Sequence, residues 1–150
     1  SASLVGSEMC IRDSIYSSVI TKNKLIIIVC DNGGFAVINR LQLFKGGKEF
    51  NNLLKSSKTP GLVDVNFAKH AESMGAKSEQ VTSISDLEEA FHRAKKSDVT
   101  YVISIKTHAY KWVEGSAFWD SPTLEIPSTK ENKEALKLHK DGKSKQRQGI

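Results

Sequence analysis

Asp31-Asn32-Gly33-Gly34-Phe35 is the stretch of this chain whose residue types and spacing could do chemistry. An Asn side chain offers a carbonyl oxygen to a hard cation. A pair of glycines lets a backbone carbonyl approach the same ion. The N-terminus of a helix that follows such a turn presents unpaired N–H groups to a phosphate. Asn-Gly and Asp-Gly are also among the commonest turn pairs, so Asp31–Gly34 alone is weak evidence and reads first as a plain turn.

The surroundings say where such a turn would sit. Leu25 to Cys30 is continuously apolar and β-branched, the pattern of a strand buried on both faces of a parallel sheet. Phe35, Ile38, Leu41 and Gln42 follow at helical spacing, so a helix starts just after the glycines. In an open α/β sheet, ligands bind beyond the carboxyl ends of the strands, which is where Asn32 to Gly34 falls. Further along, the pattern predicts a helix over 66–76 and a short strand over 80–83. Ser85-x-x-Glu88 reads as a capping box opening a helix over 85–97, and 99–105 as a second buried strand. A second capping box, Ser128-x-x-Glu131, opens a closing helix to about Lys140, with a disordered tail from Gly142. Residues 44–64, rich in Gly, Ser, Asn and Lys, read as a long mobile loop. Strands alternating with helices imply an α/β fold with a mostly parallel sheet and helices on both faces.

Composition narrows the class. The chain has 150 residues, about one domain. Its longest apolar run is too short to span a bilayer, so no membrane role is expected. Two cysteines are too few for a disulfide scaffold, which points to a reducing, cytoplasmic setting. The net charge is +5, but residues 130–150 hold +4 of it. The body is nearly neutral, which argues against a dedicated nucleic-acid protein. Residues 1–14 show no sustained period and no secretory pattern. The chain does not begin with Met, and its opening string resembles translated sequencing-adapter read-through. The expected organisation is a non-native or disordered leader over 1–14, a domain over 15–128, and a terminal helix with a basic tail over 129–150. Ile15 to Ile20 would be the last turns of a helix whose beginning is missing.

Other reactive side chains have bland readings. His70 is expected to be a partly buried structural histidine, His92 to lie on a solvated face, and Cys30 to be inert packing. His108, Tyr110, Trp112, Phe118 and Trp119 either line a site mouth or fold over the core. Lys137 to Arg147 is a solvated end without aromatic residues for base stacking.

The longer string from Leu25 to Gln42 resembles the second half of the motif of the thiamine diphosphate-dependent enzyme superfamily, in its carboxyl-terminal cofactor-binding domain. That motif runs from Gly-Asp-Gly, over roughly 25–30 residues, to Asn-x-Gly-(Phe/Tyr) after a buried strand. The likeness continues through Asp64 to Gly75, the capped helix, strand 99–105 and the Trp112–Trp119 segment, covering about residues 15–140. The extension Ile38-Asn39-x-Leu41-Gln42 looks most like the branch of carbon–carbon hydrolases that open an inositol-derived cyclic dione.

The resemblance implies a three-layer thiamine diphosphate-binding fold, truncated at its start. It implies Asn32, Gly33, Gly34 and Phe35 as cofactor-binding residues. It implies Mg²⁺ held by the Asn32 side chain and the Gly34 carbonyl. The family's third ligand, the Asp of Gly-Asp-Gly, corresponds here to Val5, which has no side-chain oxygen. The activating Glu belongs to a second cofactor domain, so no catalytic residue falls in this chain. Completing the site would take missing amino-terminal domains and a second subunit, in a homodimer or homotetramer. An acetolactate synthase-like enzyme is the same-class rival. A non-catalytic α/β module with a nucleic-acid-binding tail is the rival of another class.

Overall fold

The computed structural model of the chain describes residues 8–58, 64–112 and 126–146, with side chains from Asp13 onward. Two compact units divide the chain, 1–31 with 62–107, and 32–61 with 108–150.

The first unit contains helix α1 (Glu8–Ile20) and strand β1 (Ile26–Asp31), joined in space to later elements. These are helix α3 (Phe67–Ser73), strand β2 (Lys77–Val81), helix α4 (Ile84–Lys96) and strand β3 (Tyr101–Lys106). The three strands form one parallel sheet in the order β1-β3-β2. Ile26 stands opposite Tyr101 and Asp31 opposite Lys106. The expected parallel pairing of the two apolar strands is therefore present.

Helices cover both faces, as expected. Ala90 and Ala94 of α4, with Leu87, pack on Val81, Ile103 and Ile105. On the other face, Ile15 and Val19 of α1 and Ala71 and Met74 of α3 pack on Val102, Ile27 and Val29. The small alanines let the helices approach the sheet closely, and β3, flanked on both sides, is the buried strand. Ser18 reaches across to Thr100, Oγ to Oγ1 at 2.7 Å, and the Leu25 N–H donates to the same Thr100 oxygen.

Several expectations are corrected. β1 is an edge strand, so Ile28 and Cys30 are exposed rather than buried. They share a face with Ile26, but α4 sits over β3 and β2 and leaves that end of β1 uncovered. β2 starts at Lys77, three residues before the expected strand. Helix α4 is capped by Ser83, whose side chain accepts from the Asp86 N–H at 3.0 Å, and not by Ser85. His70 is exposed, because the buried stripe of α3 is Ala68 and Ala71. His92 lies exposed, as expected. Residues 8–14 are helical and run into Ile20, where a non-native or disordered leader had been expected, so these residues are not disordered. Helix growth is cooperative, so turns anchored at Ile15 and Val19 carry the preceding residues without an apolar period of their own. Val5 lies outside the described residues.

The second unit holds helix α2 (Ala36–Phe44), a single 3-10 turn (Leu54–Ser56) and helix α5 (Lys130–Lys145). α5 is capped by Thr129 and runs through Gly142 to Lys145, past the expected stop near Lys140. Phe118, Trp119 and Arg147 lie outside the described residues. Among the described residues no helix is long and apolar enough to cross a membrane.

Candidate functional site

The turn at Asn32–Gly34 is built by its glycines. Gly33 has φ +76° and Gly34 φ +145°, backbone conformations that L side chains rarely adopt. Gly34 forms an antiparallel bridge with Leu53, which is 2% exposed. Both hydrogen bonds of the bridge belong to the neighbours. The Phe35 N–H donates to Asn52 O at 2.7 Å, and the Leu54 N–H donates to Gly33 O at 2.9 Å. The bridge therefore leaves the Gly34 carbonyl unused. A Cβ on Gly34 would stand 2.6 Å from Asn52 O and 3.0 Å from the Leu53 Cα, so only glycine fits. Asn32 is half-buried, and Phe35 is exposed.

Helix α2 begins directly after this turn and has no side-chain cap; its preceding residue, Phe35, offers none. Helices α3, α4 and α5 are capped by Asn66, Ser83 and Thr129. The first N–H groups of α2 thus have no cap side chain among the described residues, and no acidic residue occupies its first turn. An uncapped N-terminus of this kind favours an anion through both hydrogen bonding and the helix dipole.

The buried side of α2 is not the one the apolar spacing suggested. Phe35 and Ile38 are exposed, while Ala36 and Asn39 are each 1% exposed. Asn39 donates from Nδ2 to Glu49 Oε1 at 2.9 Å, and Gln42 donates from Nε2 to Lys48 O at 2.7 Å. Asn52 in turn donates to Gln42 Oε1, and the Gly47 N–H donates to Gln42 O at 2.9 Å. Residues 45–54, expected to be a mobile loop, are thus tied to α2 and to the glycine turn. Residues 59–63 of that stretch lie outside the described residues.

Of the aromatic segment after β3, His108, Tyr110 and Trp112 are described, and all three are exposed. The guanidinium of Arg40 stacks over Trp112 at 5.0 Å and Lys55 over Tyr110 at 5.6 Å. Glu49, beside the Tyr110 hydroxyl, pushes its pKa up.

At the carboxyl end of the sheet in the first unit lies a charge cluster that sequence reasoning missed. Lys106 Nζ is 2.6 Å from Asp31 Oδ2 and 2.6 Å from Asp64 Oδ1. These carboxylates, Asp31 first, hold the Lys106 ammonium above its ordinary pKa. The Thr107 N–H also donates to Asp31 O at 2.8 Å. Residue spacing gave no sign of this trio, because parallel register across 75 residues brings it together. Among the described residues no group of three His, Cys, Asp or Glu side chains could hold a metal. Oxygen donors from Asn and backbone, as at Asn32 and Gly34, are a different chemistry.

A parallel α/β layer covered on both faces matches the fold of thiamine diphosphate-binding domains. The chain belongs to the family described as thiamine pyrophosphate enzyme, C-terminal TPP binding domain, which its residues 6–105 match. Curated relatives that it matches include proteins named 3D-(3,5/4)-trihydroxycyclohexane-1,2-dione hydrolase. The protein of Bacillus licheniformis is 26% identical over 133 residues, 88% of this chain and 21% of that protein. That of Geobacillus thermodenitrificans is 29% identical over 141 residues, 90% and 22%. That of Clostridium perfringens is 31% identical over 119 residues, 76% and 19%. The chain thus spans about a fifth of the length of these relatives. The fold is also similar to Rhodococcus jostii RHA1 thiamine diphosphate-dependent 4-hydroxybenzoylformate decarboxylase. That match has a TM-score of 0.51 and 23% identity, over 65% of this chain and 17% of the other.

Proposed function

We propose that this chain is the cofactor-binding part of a thiamine diphosphate- and Mg²⁺-dependent hydrolase. The whole enzyme cleaves a carbon–carbon bond of a trihydroxycyclohexane-1,2-dione in inositol catabolism. The observation that carries the reading is the Asn32–Phe35 turn, whose glycine-only geometry leads into an uncapped helix. Asn32 contributes its side-chain oxygen and Gly34 its carbonyl to Mg²⁺, which prefers oxygen ligands and readily shares them with phosphate. The glycine turn and the start of α2 border the diphosphate. When bound, thiamine diphosphate supplies the nucleophilic carbon and the electron sink.

This chain's residues bind and orient the cofactor, and none of them carries a proton-transfer role. That role falls to a carboxylate of a second cofactor domain, supplied by a partner subunit in a cytoplasmic homodimer or homotetramer. The names of the relatives and the Asn39 and Gln42 side chains support the hydrolase over an acetolactate synthase-like enzyme.

The test gives this chain a family-like leader with Gly-Asp-Gly about 27 residues before Asn32, joins it to the amino-terminal domains of the Bacillus licheniformis relative, and supplies thiamine diphosphate and Mg²⁺. The expected result is ring opening of the cyclic dione to an acid, without condensation of pyruvate. Pyruvate condensation without ring opening overturns the hydrolase reading.

A further inference from the structure

The residues that link this chain to the hydrolase branch turn out to have a shared mechanical task. Asn39 is fully buried, yet it is polar, and it reaches Glu49 from the middle of a helix. Gln42, one turn on, holds Lys48 O with its nitrogen and Asn52 with its oxygen. Asn52 and its neighbour Leu53 are the residues that face the turn. Asn52 O takes the Phe35 N–H, and Leu53 forms the bridge with Gly34. Burying an amide in this way is costly unless its bonds are made, and the Asn39 Oδ1 has no partner among the described residues. An apolar residue would pack at lower cost, so packing alone does not account for Asn39.

We propose that Asn39 and Gln42 are positioning residues. From the buried side of α2 they strap residues 45–54 against the Gly33–Gly34 turn. The turn then has its shape before any ligand arrives. That this shape receives a cofactor rests on the function proposed above; the strap itself does not.

Hydrogen exchange on the full chain, without cofactor, tests it. In the unchanged protein the Phe35 and Leu54 amides exchange slowly. In Asn39→Asp two carboxylates face each other, and those amides exchange faster by about tenfold or more. The β3 amides keep their rates. Asn39→Asp combined with Glu49→Gln restores the bond with its polarity reversed, because Gln at 49 donates to Asp at 39. Protection returns in that double variant. Gln42→Leu, which suits a helix, removes the two strap bonds that Gln42 makes, leaves the Asn39–Glu49 bond, and speeds the same two amides. Three results overturn the proposal: unchanged Phe35 and Leu54 amides in Asn39→Asp and Gln42→Leu, equal acceleration across β3, or a double variant no better than Asn39→Asp. None of them bears on whether thiamine diphosphate binds.

Discussion

Asp31 and Lys106 are register partners at the last position of neighbouring parallel strands, and their side chains meet at 2.6 Å. The Asp31 side chain is 11% exposed, whereas Asp64, the second carboxylate on Lys106, is 81% exposed. Asp31 is also the residue from which the chain enters the Asn32–Gly34 turn.

The two ion pairs should therefore differ in weight. Lys106→Met leaves a nearly buried carboxylate without its cation and should cost about 1–3 kcal/mol. Asp64→Asn removes a solvated pair and should cost under ~1 kcal/mol. Urea denaturation of the two variants checks the order. Because the folded Lys106 pKa is raised above 10.5, its contribution is fully present below that value. It is lost as pH rises through the folded pKa. Lys106→Met should flatten that alkaline decline.

The acid side reports a different pair. Arg93 of α4 holds Glu79 of β2 through a forked contact, Nη2 to Oε2 at 2.7 Å and Nε to Oε1 at 3.1 Å. The Tyr101 hydroxyl adds a bond of 2.7 Å. Arg93 chiefly, and Tyr101 after it, lower the Glu79 pKa below 4.5. This stability is present above 4.5 and is lost as pH falls through the folded value. Between pH 7 and pH 3 the unchanged chain should lose more stability than Glu79→Gln. Equal losses in urea titrations at the two pH values would contradict the assignment.

The cap of α4 separates sequence pattern from structure. Ser83→Ala should cost about 1 kcal/mol, and Ser85→Ala close to nothing. Thermal unfolding of both proteins decides between the two serines. Ser85-x-x-Glu88 satisfies the motif, but the helix starts two residues earlier. The strand before it ends at Val81, and Ser83 already has extended backbone.

That case illustrates what was legible in the sequence. Leu25 to Cys30 and 99–105 announced parallel strands, because β-branched runs have few other homes. The leucine and alanine spacing of 87–94 announced a helix on the sheet. Edge position was not legible, since Ile28 and Cys30 look as buried as Ile103 until strand order is known. Asp31-Asn-Gly-Gly34 marked the turn correctly. Its second wall, Asn52 and Leu53, came from a stretch whose Gly, Ser and Asn content reads as loose. The inward side of α2 was misread for a related reason. Apolar spacing runs through Phe35, Ile38, Leu41 and Gln42, but the buried positions are Ala36 and Asn39. The Lys106 cluster depends on register and has no local signature.

The two glycines of the turn should respond differently to substitution. Gly33→Ala meets no atom within 4 Å and bears only backbone strain at φ +76°, about 1 kcal/mol. Gly34→Ala adds a 2.6 Å clash with Asn52 O and should displace the Leu53 bridge. Greater loss of Leu54 amide protection in Gly34→Ala than in Gly33→Ala is the expected readout.

The central claim is that Asn32 and Gly34 hold the cofactor's cation. Calorimetric titration of Mg²⁺–thiamine diphosphate into three proteins tests it most directly. The first is the chain as it stands, where the family resemblance sets Val5 against the anionic ligand. The second carries a family-like leader with Gly-Asp-Gly about 27 residues before Asn32, together with amino-terminal domains from a relative. The third is the second protein with Asn32→Ala, read beside a His92→Ala control. The account predicts negligible binding by the first and tight binding by the second. Asn32→Ala should weaken binding about tenfold or more, with little change in the control. Tight binding by the unmodified chain, or normal binding by Asn32→Ala, would contradict it.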